Sequence, residues 1–124
     1  AGGWPNDSMN AFTPEGRTVN QNEIYNYYKN ILDWRKTKPV IHSGKLMHFI
    51  PENNIYVYFR YSDSDCVMII LNNNSSEQTI TTDRFAEILS NYKTGFDIIS
   101  KSTLNDLSKI ILPAKGAMII ELNP

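Results

Sequence analysis

The sequence predicts a mainly β protein, an antiparallel β-sandwich of Greek-key or meander type preceded by one amphipathic α-helix. Three observations predict it. Apolar residues recur at helical spacing over one sustained stretch, 20–36. From Pro39 onward, short runs rich in β-branched and aromatic residues follow one another at roughly 8–12-residue spacing. No long helical pattern separates those runs, so alternating β-α-β units are not indicated.

The elements follow in order. Residues 1–19 are rich in Gly, Pro, Asn and Thr without a period of 2 or 3.6, and read as a loop. In 20–36, Ile24, Tyr28, Ile31 and Leu32 fall at i, i+4, i+7 and i+8, one face of a helix. Thr18 with Gln21, or Asn20 with Glu23, can cap its start. Arg35, Lys36 and Lys38 suit the negative end of its dipole, and Pro39 closes it. Runs 45–50, 55–61 and 66–71 then read as successive antiparallel hairpins, broken at 52–54 and 62–65. In the second, Ile55, Val57, Phe59 and Tyr61 alternate with Tyr56, Tyr58 and Arg60, giving one apolar and one amphipathic face. The third is apolar throughout, which places it centrally and covered on both faces. Segment 78–82 reads as a short strand and 83–92 as a short helix or compact loop, with Phe85, Ile88, Leu89 and Tyr92 at helical spacing. Strands 96–100, 109–112 and 117–122 complete the domain, the last two joined across Pro113-Ala114-Lys115-Gly116.

Length and composition bound the function classes. A chain of 124 residues is one domain's worth of material, able to remove roughly 65% of its unfolded surface from water. With 41% hydrophobic and 20% charged residues it is an ordinary globular composition. A formal net charge of −1 supplies no field for nucleic acid or anionic lipid, so neither is expected as a partner. No run approaches eighteen apolar residues and the N-terminus lacks the pattern of a signal peptide, so no membrane insertion is expected. Ala1 stands where an initiator Met would, which points to a processed chain or a piece of a longer one. The single Cys66 permits no intramolecular disulfide, and in so apolar a strand its thiol reads as inert packing.

A search for chemistry finds no converging carboxylate or histidine pair of the kind acid–base catalysis needs. Glu52, Asp63, Asp65, Glu77, Asp83 and Asp106 fall in turns or strand ends and read as solvated charge, and Asp97 and Glu121 as solvent-facing strand residues. His42 and His48 lack a third ligand at helical spacing, so no metal and no cofactor is expected. Asp63-Ser64-Asp65 lacks the Gly and closing Glu of a calcium loop, and Gly44-Lys45 lacks the remainder of a phosphate-binding loop. Aromatic rings with polar tips remain. Tyr56 and Tyr58 are candidate glycan-stacking residues, although alternating Tyr on a half-buried strand is also what strand packing favours.

Three stretches, read together, carry a resemblance: AGGWPNDSMNAFT, then EGRTVNQNEIYNYYKNILDWRKTKPVIHSGKL, then IYVYFRY. Their order resembles the C-terminal end of an α-amylase-superfamily glycoside hydrolase of the neopullulanase or cyclomaltodextrinase type, across essentially the whole chain. The resemblance implies that 1–38 is the loop and terminal helix of a truncated (β/α)8 catalytic barrel and that 39–124 is the C-terminal all-β sandwich, domain C. It implies a parent hydrolase of α-1,4- and α-1,6-glucans such as starch, whose Asp nucleophile, Glu acid and second Asp lie on barrel strands upstream. None of the three maps onto this sequence, so the resemblance implies no catalytic residue and no activity for the chain alone. Such parents are often exported. Active sites lie at the C-terminal face of such barrels, so the resemblance makes Trp4 and Asp7 the substrate-proximal candidates; Asn6 stands where relatives carry Gly before that Asp.

The implied partner is the parent's catalytic barrel, and α-glucan oligosaccharide is a second candidate. Without the barrel the Ile24/Tyr28/Ile31 stripe is expected to fold back on the sandwich or pair two chains as a homodimer, with 1–19 poorly ordered or held by a neighbour. The alternative function is a stand-alone carbohydrate-binding or oligomerisation module.

Overall fold

The computed structural model describes residues 6–124, and the chain divides into two compact units, one ending at Thr37 and one running from Lys38 to Pro124. In the first unit a series of turns leads into helix α1, Val19–Lys36. From Asn6 onward the turns of this segment carry hydrogen bonds within the chain. Asp7 Oδ1 accepts from the Met9 amide at 2.9 Å, Asn10 Oδ1 from Phe12 at 3.0 Å and Thr13 Oγ1 from Gly16 at 3.2 Å. Arg17 donates to the Ala11 carbonyl at 2.9 Å and to Asn22 Oδ1 at 2.8 Å, tying the turns to the helix. Gly16 is required by close approach, since a Cβ there would lie 2.0 Å from the Asn10 carbonyl oxygen.

Of the two caps open to the sequence, the helix uses Thr18 with Gln21. Thr18 Oγ1 accepts from the Gln21 amide at 3.2 Å, and Gln21 Oε1 accepts from the Thr18 amide at 2.9 Å. Lys29 and Lys36 donate to Asp33 at 2.6 and 3.0 Å and hold its carboxyl below the ordinary range. No residue of α1 is buried: Ile24, Tyr28 and Leu32 are 51%, 61% and 50% exposed.

In the second unit Pro39 opens a new element rather than only closing the old one. It begins the short helix α2, Pro39–Ser43, where its missing N–H is harmless. The strands are β1 Lys45–His48, β2 Ile55–Tyr61, β3 Cys66–Asn72, β4 Gln78–Thr81, β5 Thr94–Asp97, β6 Ser102–Leu104, β7 Lys109–Leu112 and β8 Ala117–Asn123. A 3₁₀ turn, Asp83–Phe85, and a single-turn helix α3, Ala86–Leu89, occupy the segment left open between helix and loop. All pairing is antiparallel, in a six-stranded sheet β1-β2-β3-β8-β5-β6 and a two-stranded sheet β4-β7. The structure is thus the mainly β sandwich expected. β7 and β8 belong to different sheets, so 113–116 is a corner between layers; Asn72 Nδ2 donates to the Pro113 carbonyl there at 2.8 Å.

The core lies between the sheets. Val57, Phe59, Met68, Ile70, Ile120 and Leu122 from the large sheet meet Ile110 and Leu112 from the small one, with Phe85, Ile88, Leu89 and Leu107 closing the ends. β3 is central, as its apolar run requires, and its Val67 and Ile69 are also buried on the opposite face; Leu71 is exposed. Val40 of α2 is buried, and the Arg60 guanidinium donates to the Ile41 carbonyl at 3.1 Å, fastening α2 to β2.

Asp97 corrects the expectation of a solvent-facing charge. Its register opposite Ile120 turns it inward, and it is 2% exposed. Its oxygens accept from the amides of Ile99, Ser100 and Ile119 at 3.3, 3.1 and 3.1 Å and from the Ser100 hydroxyl at 2.6 Å. Those bonds bend the chain away after Asp97, which is why β5 spans Thr94–Asp97 instead of 96–100. Lys101, with φ of 57°, completes the bend into β6, a polar strand without the alternation that sequence reasoning relies on.

Candidate functional site

The sequence-derived candidates fall in separate places. Trp4 lies outside the described residues. Asp7 is half-buried at the start of the turns, its carboxylate engaged by the Met9 amide, and the preceding Asn6 adopts φ of 69°, the left-handed backbone its amide side chain tolerates. Tyr56 and Tyr58 stand side by side on the outer face of β2, ring centroids 5.4 Å apart and planes 31° apart, with the His48 ring edge-on to Tyr56 at 6.4 Å. Register puts Leu71 beside Tyr56 and Ile69 beside Tyr58, so the tyrosines border an apolar surface that continues across β3. Burial pushes the Tyr58 hydroxyl above its ordinary range. Both rings are half-buried.

Four carboxylates of the second unit are engaged rather than poised. Glu121 and Asp65 approach the Lys38 ammonium at 3.0 and 4.0 Å, Glu52 approaches Arg84 at 2.8 Å, and Asp97 is saturated by donors. Such pairing suits the fastening of elements, and among the described residues no group of three His, Cys, Asp or Glu side chains comes together. The Cys66 thiol is fully buried and pushed up to about 11, mainly by burial, while the neighbouring Tyr92 hydroxyl is pushed up to about 12 for the same reason. A protonated, enclosed thiol is a poor nucleophile. No helix among the described residues is long and apolar enough to cross a membrane.

Sequence reasoning missed one concave feature. A cleft of about 280 Å³ opens where the 49–53 segment faces β4, floored by Phe49, Ile55 and Phe85 and rimmed by Glu52, Asn53 and Arg84. Its residues come from four separated stretches, so no local motif announces it. Arg84 spans the rim: besides the ion pair with Glu52 it donates to the Ile50 carbonyl at 3.1 Å, and its guanidinium carbon lies 5.3 Å from the Phe85 ring centroid.

The two antiparallel sheets define an all-β domain, and comparison with known proteins says of which kind. The model of the cyclomaltodextrinase C-terminal domain matches residues 46–121, more than half of the chain, and the protein belongs to that family. The fold is shared with solved α-amylase-type enzymes. An Anoxybacillus α-amylase superposes with a TM-score of 0.70 at 22% identity, over 82% of this chain and 23% of its own. The Geobacillus thermoleovorans α-amylase solved with acarbose gives 0.68 at 21% identity, again over 82% and 23%. The trehalulose synthase MutB of Pseudomonas mesoacidophila MX-45 gives 0.64 at 16% identity, over 81% and 18%. The chain therefore spans about a fifth of the length of these structures.

Proposed function

We propose that the chain is the non-catalytic C-terminal part of an α-glucan-degrading glycoside hydrolase of the neopullulanase type, acting on starch-like α-1,4- and α-1,6-glucans, and that its role is to brace the catalytic barrel. In this reading 1–38 supplies the last barrel loop and helix and 39–124 is domain C. The observation that carries it is the bare apolar stripe of α1. An eighteen-residue helix with no buried residue and with Ile24, Tyr28 and Leu32 half exposed offers the apolar stripe that a barrel would cover. Burying each such side chain stabilises by about 1.5–3 kcal/mol, which is ample to fasten a helix onto a barrel. Trp4 and Asp7 then belong to the loop nearest the substrate.

Supplying the chain to the parent's barrel expressed without this region tests the reading. Recovery of soluble, active enzyme is expected, and Ile24→Asp with Leu32→Asp should abolish it. A barrel equally soluble and active without the chain contradicts the role. The adjacent rings of Tyr56 and Tyr58 favour a second reading, a carbohydrate-binding face. Calorimetric titration with maltoheptaose that shows no heat, with no chemical-shift change at either tyrosine, argues against it. Pairing of two chains through the Ile24/Tyr28/Ile31 stripe is read directly from sedimentation equilibrium, where a strict monomer rules it out.

A further inference from the structure

The unpaired edge of β4 gives the cleft a chemistry that the bracing role does not use. Thr82 donates its amide to the Ser108 carbonyl at 3.2 Å, which fixes the phase of the β4–β7 ladder. In an antiparallel pair, hydrogen-bonded and non-bonded positions alternate. Residues 78, 80 and 82 therefore point their main-chain groups at β7, and Thr79 and Thr81 point theirs the other way, along the wall of the cleft. β4 pairs with no other strand, so these amides and carbonyls have no ladder partner. A wall of alternating donors and acceptors thus faces the planar groups of Glu52, Asn53 and Arg84.

We propose that this cleft binds one neutral pyranose ring of a short oligosaccharide, at a site separate from Tyr56 and Tyr58. Charge decides the ligand class first. Glu52 and Arg84 are the charged residues of the cleft and neutralise each other at 2.8 Å, so neither an anion nor a cation finds a net field there. Polar geometry decides next. The carboxylate and guanidinium are held by their mutual pair, by the Ile50 carbonyl and by the Phe85 ring, so both are oriented before any ligand arrives. Rigid planar groups next to an amide suit adjacent hydroxyls that both donate and accept. Half-buried Phe49 and exposed Ile50, above the buried Ile55 and Phe85, receive the C–H face of the ring. Size sets the extent: about 280 Å³ lies at the lower end of ligand pockets, enough for a single ring with the remainder of the chain in solvent. An extended peptide adding to β4 is the competing occupant, but only two residues present outward main-chain groups, too short an edge for strand addition.

The site stands independently of the barrel-bracing role and is tested on the 124-residue chain itself. Amide chemical shifts are followed by NMR during titration with maltotriose. Saturable shifts at Asn53, Thr79 and Thr81 and at the Arg84 side chain are expected. Asn53→Gly, which keeps the left-handed backbone at φ of 51°, and Glu52→Gln should each weaken the fitted Kd by about ten-fold while the rest of the spectrum stays folded. Absence of saturable shifts in the cleft, shifts confined to Tyr56 and Tyr58, tighter binding of glucose 1-phosphate than of maltotriose, or occupancy by a Val/Thr pentapeptide in preference to the sugar would each overturn the proposal. The proposed bracing role is read separately from barrel activity, so either can fail alone.

Discussion

The Ile119 amide donates to the buried carboxylate of Asp97 at 3.1 Å, fastening the bend after β5 to the adjoining strand β8. With the Ile99 and Ser100 donors, this single side chain terminates one strand and aims the next. Asp97→Ala leaves those donors without an acceptor inside the protein and should cost about 3 kcal/mol in urea unfolding. Asp97→Asn keeps an accepting oxygen and should cost less than half of that. Equal stability of wild type and Asp97→Ala would mean that the bend is held by something else.

Gly95, two residues before Asp97 on β5, is required by packing. A Cβ there would meet Ile120 Cγ2 at 2.4 Å in the middle of the sandwich. Gly95→Ala should destabilise by about 1–3 kcal/mol through overpacking, and the companion Ile120→Ala, which removes the opposing Cγ2, should cost less in the Gly95→Ala background than in the wild type, as read in a double-mutant cycle. Simple additivity of the two would contradict that contact.

Helix α1 begins at a reciprocal cap rather than by packing, since none of its residues is buried. Thr18→Ala should therefore cost about 1 kcal/mol of helix stability, seen as a loss of far-ultraviolet helical signal in the isolated chain, whereas Asn20→Ala should change little. The reverse order of effects would assign the cap to Asn20 and Glu23.

Stability should fall in alkali through Cys66 and Tyr92. Burial raises the thiol from 9.0 to about 11 and the Tyr92 hydroxyl from 10.0 to about 12, so the folded state holds both protons more tightly than the unfolded chain. Their stabilisation is complete below about pH 9 and is lost as pH rises through 11 and 12. Cys66→Ala should show a shallower decline of the urea midpoint across that window than the wild type. Matching slopes would remove the thiol from the account.

Much of this architecture is legible in the sequence because it rests on periodicity. The spacing of Ile24, Tyr28, Ile31 and Leu32 marks α1, and the alternation from Ile55 to Tyr61 marks β2 with its correct faces. The unbroken apolar run from Cys66 marks the central strand. What escaped depends on contacts far apart in the chain. β6 is too short and polar to signal itself, and the start of α2 is hidden because Pro39 reads equally as a stop and as a first-turn residue. Asp97 looks exposed until its register opposite Ile120 is known. The cleft joins residues from Phe49 to Phe85 that only the meeting of two sheets brings together.

Reducing-sugar release from starch, pullulan and cyclodextrins, measured in parallel for the chain alone, the parent barrel alone and their mixture, tests the central claim most directly. The account predicts no release by the chain, little and short-lived release by the barrel, and sustained release by the mixture. Hydrolysis by the pure chain, or a barrel whose activity and lifetime are indifferent to it, would contradict a non-catalytic bracing domain.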